Sequence, residues 1–257
     1  MASTSVHAAS PVPVSPVTAE PEPSSRLPSR VLTGVTLWRL LIVAFCFIGY
    51  GDVVARAGTP FANLHELSQL ASVVTGFVYL GLAAYPLLTG GRRHEPRSGW
   101  LRGSLTVALM LVCIVYATMM ESDYSTTSSL FTHVLTPLIV LIDWVAVGRN
   151  QSTAAWWYPL SWTLPLLAYL AYMVNAEVSS YSFIDPSADG FVATIAGFVV
   201  AVIIGGYVLL GLGRLRATIG KQRSVADVAP VTITGAAAEP PADDEPSDRT
   251  PSAVAGP

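Results

Sequence analysis

The sequence predicts an all-α fold, a polytopic membrane helix bundle with six transmembrane helices and disordered N- and C-terminal tails. Of its 257 residues, 52% are hydrophobic and only 12% are charged, whereas a soluble domain carries about 25% charged residues. The apolar residues gather into segments of roughly 20 residues, long enough to cross a hydrocarbon core about 30 Å thick. Basic residues concentrate in alternate connections between these segments. These patterns therefore predict an integral membrane protein.

Three regions follow from the composition along the chain. Residues 1–28 are rich in proline, serine and alanine, which disfavours regular helix and predicts a disordered tail. Residues 224–257 are acidic and rich in proline and alanine, and predict a second disordered tail. Between them, residues 29–223 form the transmembrane domain, with spans predicted at 31–50, 67–88, 100–120, 128–147, 156–175 and 191–212.

The charge distribution predicts the orientation. An even number of spans places both tails on one side of the membrane. In the three loops on the other side, Arg56 is the only lysine or arginine. The positive-inside rule then predicts a multi-pass plasma membrane protein with both termini cytoplasmic. The eleven basic residues assigned to the cytoplasmic side are Arg26, Arg30, Arg92, Arg93, Arg97, Arg102, Arg149, Arg214, Arg216, Lys221 and Arg223.

The first two spans carry unusual polar residues. Arg39 lies inside the first span, from where its long side chain is expected to reach the membrane interface. Ser68, Ser72 and Thr75 of the second span recur at i, i+4 and i+7, which places three hydroxyls on one helical face. These hydroxyls either bond to backbone carbonyls and a neighbouring helix, or one of them is a nucleophile.

The fourth span contains His133 near one end and Asp143 near the other. Ionisable residues inside a span are costly and mark functional sites by default. Ten residues separate them, about 15 Å along a helix, so they cannot share a hydrogen bond. Asp143 is expected to bond to a neighbouring helix or to pair with Arg102 or Arg149. His133 is either a hydrogen-bonding residue between helices or a general acid and base, and Ser68 lies at a matching depth.

The fifth and sixth spans show two regular patterns. Aromatic residues and Pro165 form one stripe of the fifth span, which is either an interfacial belt or the wall of an interior cavity. Pro165 is expected to kink this helix. In the sixth span, small residues recur every fourth position and predict a ridge that faces a neighbouring helix. The members of this ridge are Ala193, Gly197, Ala201 and Gly205.

Three blocks of sequence occur in a characteristic order. They are FTHVLTPLIVLIDW at 131–144, WWYPLSWTLPLLAYLAYMV at 156–174 and YSFIDPSADG at 181–190. In these blocks the chain resembles a prokaryotic six-span branch of the androgen-induced-protein (FAR/AIG-type) family. The resemblance implies an integral membrane hydrolase that cleaves fatty-acid esters of hydroxy fatty acids with a threonine nucleophile and a histidine.

The resemblance assigns the histidine but not the nucleophile. His133 corresponds to the family histidine. A gapless alignment places Ala71 at the position of the family threonine and Thr75 at that of an asparagine. The candidate nucleophiles in the chain are therefore Ser68, Ser72 and Thr75, of which one is expected to act.

Three classes of function remain open from the sequence. The first is hydrolysis of a lipid ester, with His133 as the base. The second is a non-enzymatic lipid-binding or scaffolding protein. The third is a transporter, which is less favoured because the sequence lacks the paired, Gly- or Pro-broken spans typical of transporters. Membrane lipid is the expected partner, and no basic surface predicts nucleic-acid binding. Cys46 and Cys113 lie in different spans without a metal or redox spacing, so neither a metal nor a cofactor is expected.

Overall fold

The computed structural model describes residues 27–120, 122–176 and 181–228, and all regular secondary structure in these ranges is helical. The predicted tails lie largely outside them. The helices are α1 (Ser29–Ala57), α2 (Leu67–Leu88), α3 (Trp100–Met119), α4 (Thr127–Val147), α5 (Tyr158–Ser161), α6 (Thr163–Asn175) and α7 (Phe191–Val228). Short 3₁₀ turns lie at Asn150–Thr153 and Ser182–Ile184.

Among the residues that the structure describes, five helices are long and apolar enough to cross a membrane. They are α1, α2, α3, α4 and the part of α7 at Phe191–Ile219. The chain is therefore a helical protein of membrane-spanning character. α7 continues to Val228, so the predicted start of the C-terminal tail at residue 224 lies within a helix.

The first helix is longer than its predicted span of 31–50. The segment after Tyr50 contains no proline, and the helix continues through Gly51 to Gly58, which adopts a left-handed conformation with φ of 69° and donates its N–H to the carbonyl of Val54. Within this extra length Asp52 and Arg56 form an ion pair of 2.9 Å across one turn. Glycine ends the helix here because it takes positive φ without steric cost.

Helix α4 contains two π-helical turns, at Phe131–Leu135 and Asp143–Val147. Pro137 has no N–H to donate to the carbonyl of residue 133, and the N–H of Thr136 bonds instead to the carbonyl of Phe131, five residues earlier. Such turns are rare inside helices and occur frequently at functional sites. His133 and Asp143 each lie in one of them.

The fifth predicted span, 156–175, is interrupted. It consists of α5 and α6 separated at Trp162, three residues before Pro165. The missing N–H of Pro165 leaves the carbonyl of Ser161 without its helical partner, which explains a break at this point. The expected kink at Pro165 is therefore present as a break at Trp162, and a sixth membrane crossing at this segment stays a prediction.

The small-residue ridge predicted in α7 faces away from the bundle. A Cβ atom added at Gly197 or Gly205 would meet no atom within 4 Å, whereas one at Gly206 would lie 2.9 Å from Cβ of Pro159. The prediction that Gly197 and Gly205 face a neighbouring helix is therefore wrong. Val202, Leu209 and Leu210 bury more apolar area than the small residues and so direct the opposite face inward.

Candidate functional site

His133 lies in the first π-helical turn of α4 with its ring held on two sides. Its Nδ1 donates to the carbonyl of Ser129 at 3.1 Å, and its ring stacks on Tyr116 with centroids 3.6 Å apart and planes 4° from parallel. Because a carbonyl can only accept, Nδ1 carries a proton. In the neutral imidazole, Nε2 then holds the free lone pair, the state required of a general base.

A cavity of about 300 Å³ opens beside this imidazole. It lies between the first turn of α2 and parts of α3, α4, α6, α7 and the turn at Ser182–Ile184. Polar side chains line its end nearest the loops, which we call the Glu66 end of the bundle. The polar lining consists of Glu66, Ser68, Tyr116, His133, Tyr169 and Tyr181.

The other end of the cavity is apolar. Leu111 and Val112 of α3, Leu166 of α6, and Phe198 and Val202 of α7 form its walls, about 10–17 Å along these helices from their ends nearest Glu66. Thr163 also lines this part, but its hydroxyl donates to the carbonyl of Leu160 at 2.6 Å. The cavity is therefore amphipathic, with its hydrogen-bonding groups at the loop end and hydrocarbon towards the centre of the bundle.

The three hydroxyl residues predicted as candidate nucleophiles lie in different surroundings. Ser68 is 6% exposed and lines the cavity that His133 also lines. Ser72 and Thr75 are fully buried outside this lining, and their hydroxyls have no hydrogen-bond partner within the described ranges. The cavity touches only the first turn of α2, so depth along the helix separates Ser68 from the other two. Ala71, aligned with the family threonine, packs in an apolar core.

Glu66 is the acid at the mouth of the cavity. In the part of the chain that the structure describes, its carboxylate has neither a hydrogen-bond nor an ion-pair partner. Burial raises the pKa of this carboxyl group above its ordinary value, and His65 opposes the change. The pKa of the Tyr181 phenol is raised by burial and further by Glu66. The site thus holds an unpaired acid among phenol groups.

A second cleft meets the cavity at Glu66 and His133, which line both. Arg56 lines this cleft too, but its guanidinium pairs with Asp52 at 2.9 Å and also donates to the hydroxyl of Ser128. Its charge is therefore neutralised locally, whereas that of Glu66 is not.

Asp143 belongs to a separate buried centre at the opposite end of α4. It is fully buried and accepts hydrogen bonds from Arg102 at 2.7 and 3.1 Å, from the hydroxyl of Tyr79 at 2.8 Å and from the indole of Trp38 at 3.2 Å. The sequence left a neighbouring helix, Arg102 and Arg149 as possible partners of Asp143. In the structure Asp143 bonds to Arg102 and to side chains of neighbouring helices. This bonding gives Asp143 a structural role.

Glu95 and Arg39 complete this centre, which we call the ion cluster (Arg39, Glu95, Arg102 and Asp143). Glu95 Oε2 lies 3.4 Å from Arg39 and 3.2 Å from Arg102. Arg39 is fully buried and also donates to the carbonyls of Leu82 and His94. The expectation that Arg39 reaches the membrane interface is therefore wrong. Two cations and two anions balance, which makes burial of four charges tolerable.

The aromatic stripe of the fifth span serves both roles that the sequence left open. Tyr169 lines the cavity and donates to the carbonyl of His65 at 2.9 Å. Trp162 is fully buried against Trp144, with ring centroids 5.7 Å apart. Tyr172 is half exposed, as are Trp156 and Trp157 near the start of the segment, as expected for an interfacial belt.

Comparison with known proteins gives no assignment: no family model, no curated protein and no solved structure matches the chain. The resemblance to the androgen-induced-protein family therefore stays a prediction. Within residues 27–120, 122–176 and 181–228, no group of three or more histidine, cysteine, aspartate or glutamate side chains could hold a metal ion.

Proposed function

We propose that the protein binds a long-chain amphipathic lipid in the cavity beside His133. The observation that carries the proposal is a division of the cavity lining: its hydrogen-bonding side chains other than Thr163 gather at the Glu66 end, and the remaining lining is apolar. A lipid has the same division between head group and chain. Ligand pockets are generally apolar with a few placed polar groups, and a volume of about 300 Å³ suits a single chain.

The position of the cavity in a membrane supports this ligand. The bundle contains five helices long and apolar enough to cross a bilayer. The apolar part of the cavity lies about 10–17 Å along α3 and α7 from their ends nearest Glu66, a depth that lipid chains occupy in a bilayer. We propose six crossings with both termini cytoplasmic in the plasma membrane, from the basic asymmetry of the sequence. The Glu66 end then faces outward.

A matched pair of tryptophan substitutions in α7 tests lipid binding. Val199 lines the cavity, whereas the neighbouring Val200 is 54% exposed on the outer face of the helix. We expect Val199→Trp to fill the cavity and weaken binding of a tritiated twelve-carbon alcohol at least tenfold in the purified protein. Val200→Trp should bind like the wild type. Equal binding by both variants and the wild type would refute the cavity as the site.

Hydrolysis of a bound ester is a second candidate, because Ser68 and His133 line the same cavity. In this reaction Nε2 of His133 takes the proton of the Ser68 hydroxyl while the Ser68 oxygen bonds to the ester carbonyl carbon. The alcohol leaves with the proton from Nε2, and the fatty acyl group stays on Ser68. Water, deprotonated by Nε2, then releases the fatty acid and restores the hydroxyl.

Alanine substitutions distinguish binding from hydrolysis. If the site is hydrolytic, release of fatty acid from a long-chain ester should be lost in Ser68→Ala and in His133→Ala. Ser72→Ala and Thr75→Ala should keep it, because these hydroxyls lie outside the cavity lining. Activity that survives His133→Ala, or that depends on Thr75 rather than Ser68, would end this assignment. Lipid binding without any ester cleavage would leave the binding function alone.

A further inference from the structure

We propose that the lipid bound in the cavity carries an ammonium group in its head. The inference rests on the proposed lipid-binding function and specifies the chemistry of its ligand. It follows from the charges of the cavity lining, from the aromatic side chains around them, and from the charge of the whole Glu66 end.

Among the residues that the structure describes, Glu66 is the one aspartate or glutamate that lines the cavity, and no lysine or arginine lines it. Its carboxylate has no partner among the described side chains. A partly buried carboxylate without a partner carries a desolvation cost, which a bound cation would offset. An anionic head group, such as a carboxylate or sulfate, would instead place like charges together without a lysine or arginine to neutralise them.

Tyrosine side chains share this end of the cavity with Glu66. Tyr169 and Tyr181 come from different segments and line the same space, and Tyr116 joins them with one ring face already stacked on His133. The face of an aromatic ring attracts a cation by its quadrupole, and aromatic side chains are the common recognition element for quaternary ammonium groups. Phenol groups beside a carboxylate therefore suit an alkylated ammonium group better than a sugar or a phosphate.

The loops around the opening extend the same charge. The described residues at the Glu66 end include five acidic side chains and one arginine, Arg56, which is paired with Asp52. The acids are Asp52, Glu66, Asp123, Asp185 and Asp189. A surface of one sign raises the local concentration of ligands of the opposite sign and speeds their association. Cationic amphiphiles would be drawn to the cavity, and anionic ones repelled.

The test compares head groups on one chain length. The full-length protein in nanodiscs is loaded with the tritiated twelve-carbon alcohol, which is then displaced by dodecyltrimethylammonium, dodecyl sulfate or unlabelled alcohol. We expect the ammonium compound to bind at least tenfold more tightly than the alcohol, and the sulfate more weakly than the alcohol. In Glu66→Gln the ratio of the alcohol and ammonium dissociation constants should fall to about one. Asp185→Asn removes a more distant, screened charge outside the cavity lining and should lower the ratio by less than about twofold.

The outcomes separate the two proposals. Binding of the alcohol without preference for the ammonium compound overturns the charge assignment and leaves the lipid site standing. Absence of binding by all three compounds overturns the lipid site itself. A preference that survives Glu66→Gln also overturns the charge assignment. A further competitor, lysophosphatidylcholine, identifies the source of the group, because tighter binding than dodecyltrimethylammonium indicates a phospholipid and weaker binding indicates a simple amine.

Discussion

Replacing Asp143 by asparagine should destabilise the protein by about 3–5 kcal/mol, the usual cost of removing one partner from a buried ion pair. The substitution keeps the shape of the side chain and removes its charge. The carboxylate is fully buried and accepts four hydrogen bonds, two of them from Arg102. Without it, Glu95 alone would balance the two buried cations of the ion cluster, and one positive charge would stay uncompensated.

Thermal unfolding of the detergent-solubilised protein measures this effect. At about 2–4 °C per kcal/mol for a domain of this size, the melting temperature should fall by about 6–20 °C. Asp123→Asn, which removes an acid from a loop, is the control and should shift it by less than about 2 °C. Arg102→Met combined with Asp143→Asn should cost less than the sum of the single changes, because the two side chains interact directly. Additive effects, or an unchanged melting temperature in Asp143→Asn, would refute the account of the ion cluster.

Three further predictions concern the site, the packing of α7 and the topology. The preference for an ammonium ligand should disappear as the pH falls through the pKa of Glu66, which burial raises above 4.5, and displacement assays in Glu66→Gln should show no such transition. Gly206→Ala should lower the melting temperature because its Cβ would lie 2.9 Å from Cβ of residue 159, whereas Gly205→Ala, with open space around it, should not; equal shifts would contradict the packing. Single cysteines at Tyr124 and Arg92, treated with an impermeant reagent in intact cells, should be labelled at 124 only, and the reverse pattern would invert the proposed orientation.

The sequence predicted the membrane-spanning helices well where composition alone determines them. The predicted second span has the bounds of α2, Leu67–Leu88, because polar loops flank a largely apolar segment without a charged residue. In the fifth span the sequence predicted a kink at Pro165 but not its extent. The missing N–H of Pro165 and the burial of Trp162 divide the segment into two helices.

The site was predictable only in part, because its members come from distant segments. His133 and Ser68 stood out as polar residues within apolar spans. Glu66, Tyr116 and Tyr181 did not, since a glutamate at a helix start and tyrosines near helix ends are common in any membrane protein. Only the packing of α3, α4 and α6 against the start of α2 brings them to one cavity. The sequence did not predict Glu95 as a member of the ion cluster, because an acid within a basic loop is normally exposed and nothing in its sequence context indicates burial.

The π-helical turn around His133 has a consequence for how α4 tolerates changes in length. A π turn holds one residue more than the α-helical turn it replaces, so deleting one residue from Phe131–Leu135 would leave an ordinary helix. The two sides of α4 would then keep nearly their present relative orientation, whereas an α-helical turn formed by all five residues would rotate one side by about 100° relative to the other. In the latter case either the imidazole would leave the cavity or Asp143 would leave Arg102. The π turn thus sets the rotation of one half of α4 relative to the other, so that His133 lines the cavity while Asp143 bonds within the ion cluster.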